Sequence, residues 1–371
     1  MSRNRRIVAA LLAVVLVAAV AVVVGVAVAR HDGRNKQAAP AEPDATVDAK
    51  TIAGLQPDQF GISTGIQLVK EEPDRIDADI ASIATLGAQW IRTGIRWDIV
   101  EKRGPDQDDW TVPDRIVSDA AKHDVRIIFD LTGTPKWARA SGAGSVEFPP
   151  DLHTYATFAG KLAQRYRGKV AAYELGNEPN HVKSFAHPDP ARYEQVLQLT
   201  YPAIKAADPK ALVLTGGLGG ETGKGVLGGD EFLAALYRAG AKPYFDGVSY
   251  HPYTYPLMPS DDAGQRSWSR MLNARRTMVA NGDSAKKVWI TEYGAPTGGP
   301  KSVDQVQQAK IMYDAYRLWG SYPWAGPLCW FDYRDKGTDT GDHGNFFGLY
   351  THDDQPKVAL RQYQALVRSV R

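Results

Sequence analysis

Cysteine is nearly missing from this chain of 371 residues. The single one, Cys329, permits no intramolecular disulfide and no cysteine-based zinc site. No HExxH pair and no EF-hand loop is present either, so nothing in the sequence calls for a metal or another cofactor. An excess of charge of one sign is also missing, since 44 Lys and Arg face 42 Asp and Glu. The small positive balance sits at one end: residues 1–36 hold six bases (Arg3, Arg5, Arg6, Arg30, Arg34, Lys36) against one acid, Asp32. That leaves 38 bases and 41 acids for the remainder, a net charge of −3. Such a body lacks the clustered Lys and Arg that neutralise phosphates, which excludes nucleic acid as a partner. With 43% apolar and 23% charged residues the chain can bury a large core, and disorder is excluded for most of it.

Long apolar runs are missing with one exception. Ile7 to Ala29 is 23 residues without a charged or polar side chain, preceded by Arg3, Arg5 and Arg6. As a helix it would be about 34 Å long, enough to span a hydrocarbon core of about 30 Å. The run is long for a cleaved signal, yet Ala27-Val28-Ala29 has the small-x-small form that signal peptidase accepts. Both readings put the arginines of residues 1–6 in the cytoplasm and the body outside. The expectation is a single-pass signal anchor in the cell membrane through residues 7–29, or a secreted protein if cleavage follows Ala29. Residues 30–54, rich in Ala, Asp and Pro, read as a linker.

From residue 55 to 371 short β-type runs alternate with longer helical ones. The runs begin near Phe60, Trp90, Arg126, Ala171, Leu212, Phe245, Val288 and Pro327. Eight strands separated by helices imply a parallel sheet with right-handed crossovers, and the spacing predicts a (β/α)8 TIM barrel, with an open doubly wound sheet as the competitor. Between Asp151 and Tyr166 apolar residues recur at helical spacing behind Asp151 as the cap, and Ser302 with Gln305 forms a capping-box pattern. In such a barrel catalytic residues stand at the carboxyl ends of strands. The rule selects Arg92, Asp130, Asn177, Glu178, His251, Tyr253, Glu292 and Trp330.

Two of these are glutamates, Glu178 in YELGNEPN on the fourth strand and Glu292 in WITEYG on the seventh. The two strands lie on roughly opposite sides of an eight-stranded barrel, so their ends can face each other across its mouth. Glycoside hydrolysis needs such a pair, one acid to protonate the departing oxygen and one carboxylate to attack the anomeric carbon or activate water. Glu174 points the same way as Glu178 but deeper, as a structural acid. Cys329 inside a strand reads as core, Asp342 and His343 as rim, and Trp97 and Trp137 as either sugar subsites or rim packing. GKGVLG (Gly223 to Gly228) satisfies GxGxxG but does not follow directly on a strand, and reads as a loop beside the cleft.

NEP after strand four and Glu after strand seven resemble glycoside hydrolase clan A, families 5 and 39 in particular. IRTGIRWDIVEKRGPDQDDW, LTGTPKWA, DGVSYHPY and FFGLYTHDDQPKVAL extend the resemblance over residues 58–368. It implies Glu178 as general acid/base and Glu292 as nucleophile of a retaining enzyme, with carboxyl groups about 5–5.5 Å apart. It further implies Asn177 on the sugar 2-hydroxyl, Arg92 and Tyr253 holding Glu292 ionised and aimed, His251 lining the sugar site and Trp330 as its stacking floor. Trp137 is carried as a further substrate-binding candidate. The expected reaction is retaining hydrolysis of a β-linked envelope or extracellular polysaccharide. A transglycosylase with the same covalent intermediate, or an inactive sugar-binding barrel, remains the alternative. The anchor together with the barrel looks like membrane-bound glycosidases of actinobacteria, which suggests β-galactofuranan first, then β-glucan or β-mannan.

Overall fold

A computed structural model describes residues 52–182, 185, 187–262 and 267–371. Eight parallel strands close in chain order: β1 (Phe60–Gly65), β2 (Trp90–Arg96), β3 (Arg126–Thr132), β4 (Ala172–Asn177), β5 (Leu212–Gly219), β6 (Gly247–His251), β7 (Lys287–Tyr293) and β8 (Ala325–Phe331). After them come α1 (Pro73–Thr85), α2 (Thr111–Lys122), α3 (Leu152–Arg165), α4 (Pro190–Ala207), α5 (Gly229–Ala239), α6 (Ser267–Ala280), α7 (Gln305–Gly320) and α8 (Val358–Ser369). Strand β8 pairs with β1 from Phe60–Leu328 to Ser63–Phe331, which closes the barrel and removes the doubly wound alternative. Every strand starts within two residues of its apolar run, because strands covered on both faces are written as nearly continuous hydrophobic segments.

Helix α3 follows its sequence pattern. The Asp151 carboxylate accepts the His153 N–H at 3.0 Å, and Leu152, Tyr155, Phe158 and Leu162 turn into the core. At α7 the pattern misleads by two residues. The cap is Asp304, whose carboxylate accepts the Gln307 N–H at 2.7 Å, while Ser302 lies in a turn that bonds back to Gly299. The Gln305 side chain accepts instead from the Val358 N–H at 3.0 Å, tying α7 to α8. An Asp immediately ahead of the first helical residue is as good a cap as Ser, and it wins on position.

Alternation along the strands sorts the barrel interior into layers. The lowest is apolar: Trp90, Ile128, Ala172, Leu214, Trp289 and Cys329 form a separate buried cluster, with Trp90 edge-on to Trp289 at 5.1 Å. Cys329 is core as its position suggests, and burial pushes its thiol well up. Two residues further along β2, β3, β4 and β7 the inward positions turn polar, at Arg92, Asp130, Glu174 and Thr291, joined by Ser249 of β6, all buried. The intervening residues, such as Ile91, Phe129, Tyr173 and Ile290, pack outward against the helices, each fully buried side chain contributing about 1.5–3 kcal/mol. The sequence therefore builds an apolar plug below and a charged platform under the mouth. The apolar run 7–29 lies outside the described residues. Among the described residues no helix is long and apolar enough to cross a membrane.

Candidate active site

Arg92 organises the platform. Its guanidinium donates to Glu292 Oε1, to Glu174 Oε1 and, at 2.8 Å, to Asn177 Oδ1, and its Nη2 lies 3.3 Å from Asp130 Oδ2. Burial works against its charge, but Glu174, Asp130 and Glu292 together hold its pKa well above the usual value. One guanidinium cannot neutralise three buried carboxylates. Asp130, with the longest contact, is pushed up by burial to about 7 despite the pull of Arg92.

Glu292 reaches the site through a local irregularity. Between the pairs Ile290–Leu328 and Tyr293–Trp330, β7 spends one residue more than β8. The extra residue lets Thr291 face the interior and Glu292 face the mouth in succession, which strict alternation would forbid. Glu292 Oε2 accepts the Tyr253 hydroxyl at 2.9 Å, while Oε1 is held by Arg92. Burial alone would raise its pKa, yet His251, Arg92, Lys336 and the Tyr253 hydrogen bond bring it below the usual range. Glu292 is thus kept ionised.

Glu178 follows β4 with φ +46°, a left-handed conformation that costs a non-glycine residue about 1–3 kcal/mol and is common where a functional side chain must be aimed. Two backbone bonds hold it: its N–H donates to Gly217 O at 3.0 Å, and its C=O accepts from His181 N–H at 2.9 Å. Its side chain is 28% exposed against 12% for Glu292, so it forms the lip of the site and Glu292 the floor. Just beyond, the buried Asn180 side chain bonds the Gly219 N–H and C=O at 2.9 Å and the Leu227 C=O at 2.7 Å. It locks the β4 loop to the loop after β5. The Gly223–Gly228 segment is part of that second loop, with bridges between Val226 and both His181 and Gly223.

His251 lies between the glutamates. Its Nδ1 is 3.4 Å from Glu178 Oε1 and 3.8 Å from Glu292 Oε2, so the two oxygens are at most about 7 Å apart. Its Nε2 lies 3.0 Å from Thr291 Oγ1, which is 2.5 Å from Ser249 Oγ, which donates to Glu174 Oε2 at 2.6 Å. The direction of this chain follows from its end. Glu174, paired with Arg92, only accepts, so Ser249 spends its proton there; Thr291 must donate to Ser249 and therefore accepts from His251 Nε2–H. Nδ1 is left facing the glutamates. Burial lowers the His251 pKa, but Glu292 and Glu178 outweigh it and raise it above the ordinary value.

Arg92, Asn177, Glu178, His251, Tyr253 and Glu292 thus converge at one mouth, as the sequence suggests. Trp330 does not join them. Because Cys329 faces inward, Trp330 faces outward; its ring is fully buried, edge-on to Tyr293 at 6.0 Å, and no sugar can stack on it. The ring at the mouth is the next one, Phe331, edge-on to Tyr253 at 6.4 Å with the Lys336 ammonium 4.1 Å from its centroid. Trp97 is core, stacked on Phe158 at 5.3 Å. Trp137 sits on the rim, exposed, with its indole N–H on Glu101 O at 2.7 Å, and it touches neither glutamate. Asp342 caps a short 3-10 turn and His343 lies against Tyr255, both on the rim.

Sequence reasoning passed over Ser249, Thr291, Asn180, Phe331 and Lys336. Ser249 could have been found as the inward neighbour two residues before His251. Thr291 could not, because alternation counted back from Glu292 turns it outward; counted from Trp289 it faces inward, and the irregularity in β7 lets both residues do so. Among the described residues no three of His, Cys, Asp and Glu are grouped to hold a metal ion. Beside Tyr253 a cleft of about 420 Å³ opens between Tyr255, Leu257 and Glu221.

Solved structures share this fold. A family 39 glycoside hydrolase from Bacteroides cellulosilyticus WH2 superposes with a TM-score of 0.69 at 21% identity over 85% of this chain, which spans 65% of that longer protein. A monomeric β-xylosidase from Caulobacter crescentus CB15 gives 0.65 at 19% identity over 86% of this chain and 70% of its own. GH5_18 from Streptomyces cattleya, in complex with GlcNAc, gives 0.63 at 17% over 85% and 80%. At these identities the likeness is one of fold. No curated protein matches the chain in sequence. A family model does: cellulase, glycosyl hydrolase family 5, matches residues 48–324, a stretch that carries both Glu178 and Glu292. Fold, paired glutamates and family match agree, and the chain belongs to the cellulase family, glycosyl hydrolase family 5, a family of retaining β-glycosidases.

Proposed function

We propose that this protein hydrolyses a β-linked polysaccharide of the cell envelope or its surroundings with retention of configuration. The observation that carries the reading is the pair of glutamates on one His251 nitrogen, with Glu292 kept ionised beneath Glu178. Glu292 attacks the anomeric carbon and the bond to the departing oxygen breaks, while Glu178 delivers its proton to that oxygen. Water then gives a proton to Glu178, and its oxygen displaces Glu292 from the sugar. Arg92 and Tyr253 hold both oxygens of the nucleophile, so little is lost in orienting it as the bond forms. Asn177, its carbonyl oxygen held by Arg92, faces the sugar 2-hydroxyl, His251 lines the site, and Phe331 takes the stacking role expected of Trp330.

Glu292→Gln is expected to abolish turnover, while Glu178→Gln retains slow hydrolysis of aryl glycosides whose leaving groups need no proton. Proton NMR of the first-formed sugar decides the stereochemistry; an inverted anomeric centre overturns the assignment. β-Galactofuranan, β-glucan and β-mannan are the polymers to supply, in that order. We further propose that residues 7–29 anchor the barrel on the outer face of the cytoplasmic membrane.

A further inference from the structure

Between the loops after β1 and β8, beside the mouth, lies a cleft of about 630 Å³. Most of its charged groups satisfy one another. Asp354 accepts from Arg75 at 2.6 Å and from Arg334 at 2.7 Å, Arg334 also donates to Asp79, and Glu71 lies 3.8 Å from Arg334. Asp335 accepts from Lys357 at 2.7 Å and from the Gly348 N–H at 2.8 Å. Two lysines stand outside these pairs. Lys70 is exposed and forms no ion pair among the described residues. Lys336 is one-third exposed, and its acid partner, Asp332, is 3.5 Å away and fully buried, with a carboxyl that burial pushes up to about 7.

The position of Lys336 gives its exposed ammonium a use. Its ammonium lies 4.1 Å from the centroid of Phe331, the ring at the mouth, and within 3.7 Å of where a side chain on Gly65 at the end of β1 would begin. It therefore stands on the boundary between the cleft and the reaction site. A neutral sugar gains little from an ammonium held there, whereas an anion gains an ion pair in a partly desolvated setting. Phosphate is matched best by the arginine fork, and both arginines of the cleft are already occupied by Asp79 and Asp354. Two separate lysine ammonium groups suit a single carboxylate.

We propose that this cleft is a subsite for a uronate residue of the glycan, whose carboxylate pairs with Lys336 and Lys70. The inference rests on the glycosidase reading and names the class of substrate for it. Ligand-observed NMR on the full-length protein, with D-glucuronate and D-galacturonate against glucose and galactose, tests it without requiring turnover. Both uronates are expected to bind at least fivefold tighter than their neutral counterparts. Lys336→Gln and Lys70→Gln each weaken uronate binding about fivefold, the size of a partly exposed ion pair. Lys70→Gln leaves the neutral sugars unchanged, and Lys336→Arg restores uronate binding. Equal binding of uronate and neutral sugar, no binding of either uronate, or indifference to both substitutions overturns the proposal. Inorganic phosphate that competes through Lys336 more tightly than the uronates overturns the choice of carboxylate. Hydrolysis of neutral aryl glycosides is scored separately, so that a failed subsite and a failed glycosidase reading are told apart.

Discussion

Replacing Thr291 with Val tests the direction of the hydrogen-bond chain beneath the site. Val keeps the shape and removes the one oxygen that accepts from His251 Nε2–H at 3.0 Å. His251 is fully buried, so this donor cannot turn to water, and leaving it unpaired costs about 1–3 kcal/mol. At about 2–4 °C per kcal/mol, the melting temperature is expected to fall by about 2–12 °C. The larger consequence is electrostatic. Without the Thr291 acceptor the imidazolium is less favoured, the His251 pKa falls, and Glu292 loses part of the positive charge that most counters its burial. Glu292 must be ionised to attack, and in the wild type it stays ionised below the usual carboxylate range. As that depression weakens, the acid limb of kcat/KM moves to higher pH. The stability that the depressed carboxylate contributes, present above its unfolded pKa and lost as pH falls through the folded one, shrinks accordingly. Thr291→Ser is expected to restore both quantities. A Thr291→Val enzyme with unchanged melting temperature and unchanged acid limb would mean that His251 does not donate to Thr291, and the reasoning from Glu174 upward would be wrong.

Gly217 packs so closely on His251 that a Cβ would fall 2.0 Å from Nε2. Gly217→Ala is therefore expected to displace the imidazole and reduce kcat at least a hundredfold, while Gly223→Ala, with nothing within 4 Å, leaves it unchanged; equal activity of the two variants in initial-rate assays refutes the packing argument. For the anchor, protease added to intact spheroplasts is expected to degrade the barrel, and protection would reverse the topology; the mass of the mature N-terminus separates an anchor from cleavage after Ala29.

What the sequence determined is what depends on local pattern. The eight strand starts, the capped helix α3 and the strand-end positions of Glu178, His251 and Glu292 are legible because a buried parallel strand is an apolar run and because barrel chemistry collects at strand ends; Arg92 is instead the third residue of β2 and reaches the mouth from within the barrel through its long side chain. Glu174 is legible for the same reason, since alternation sends it inward beneath Glu178, where Arg92 and Ser249 hold it. The tertiary structure decided what depends on register and facing. Trp330 and Phe331 are adjacent, and composition favours the indole as a sugar floor; only the inward set of Cys329 in the closed barrel shows that Trp330 must face the helices and Phe331 the mouth. The extra residue in β7 has no local signature, yet it lets Thr291 and Glu292 act together. Lys336 reads as an ordinary surface lysine until the loops after β1 and β8 close around it. Long-range charge placement of this kind is set by which loops meet across the barrel, and no stretch of sequence encodes that alone.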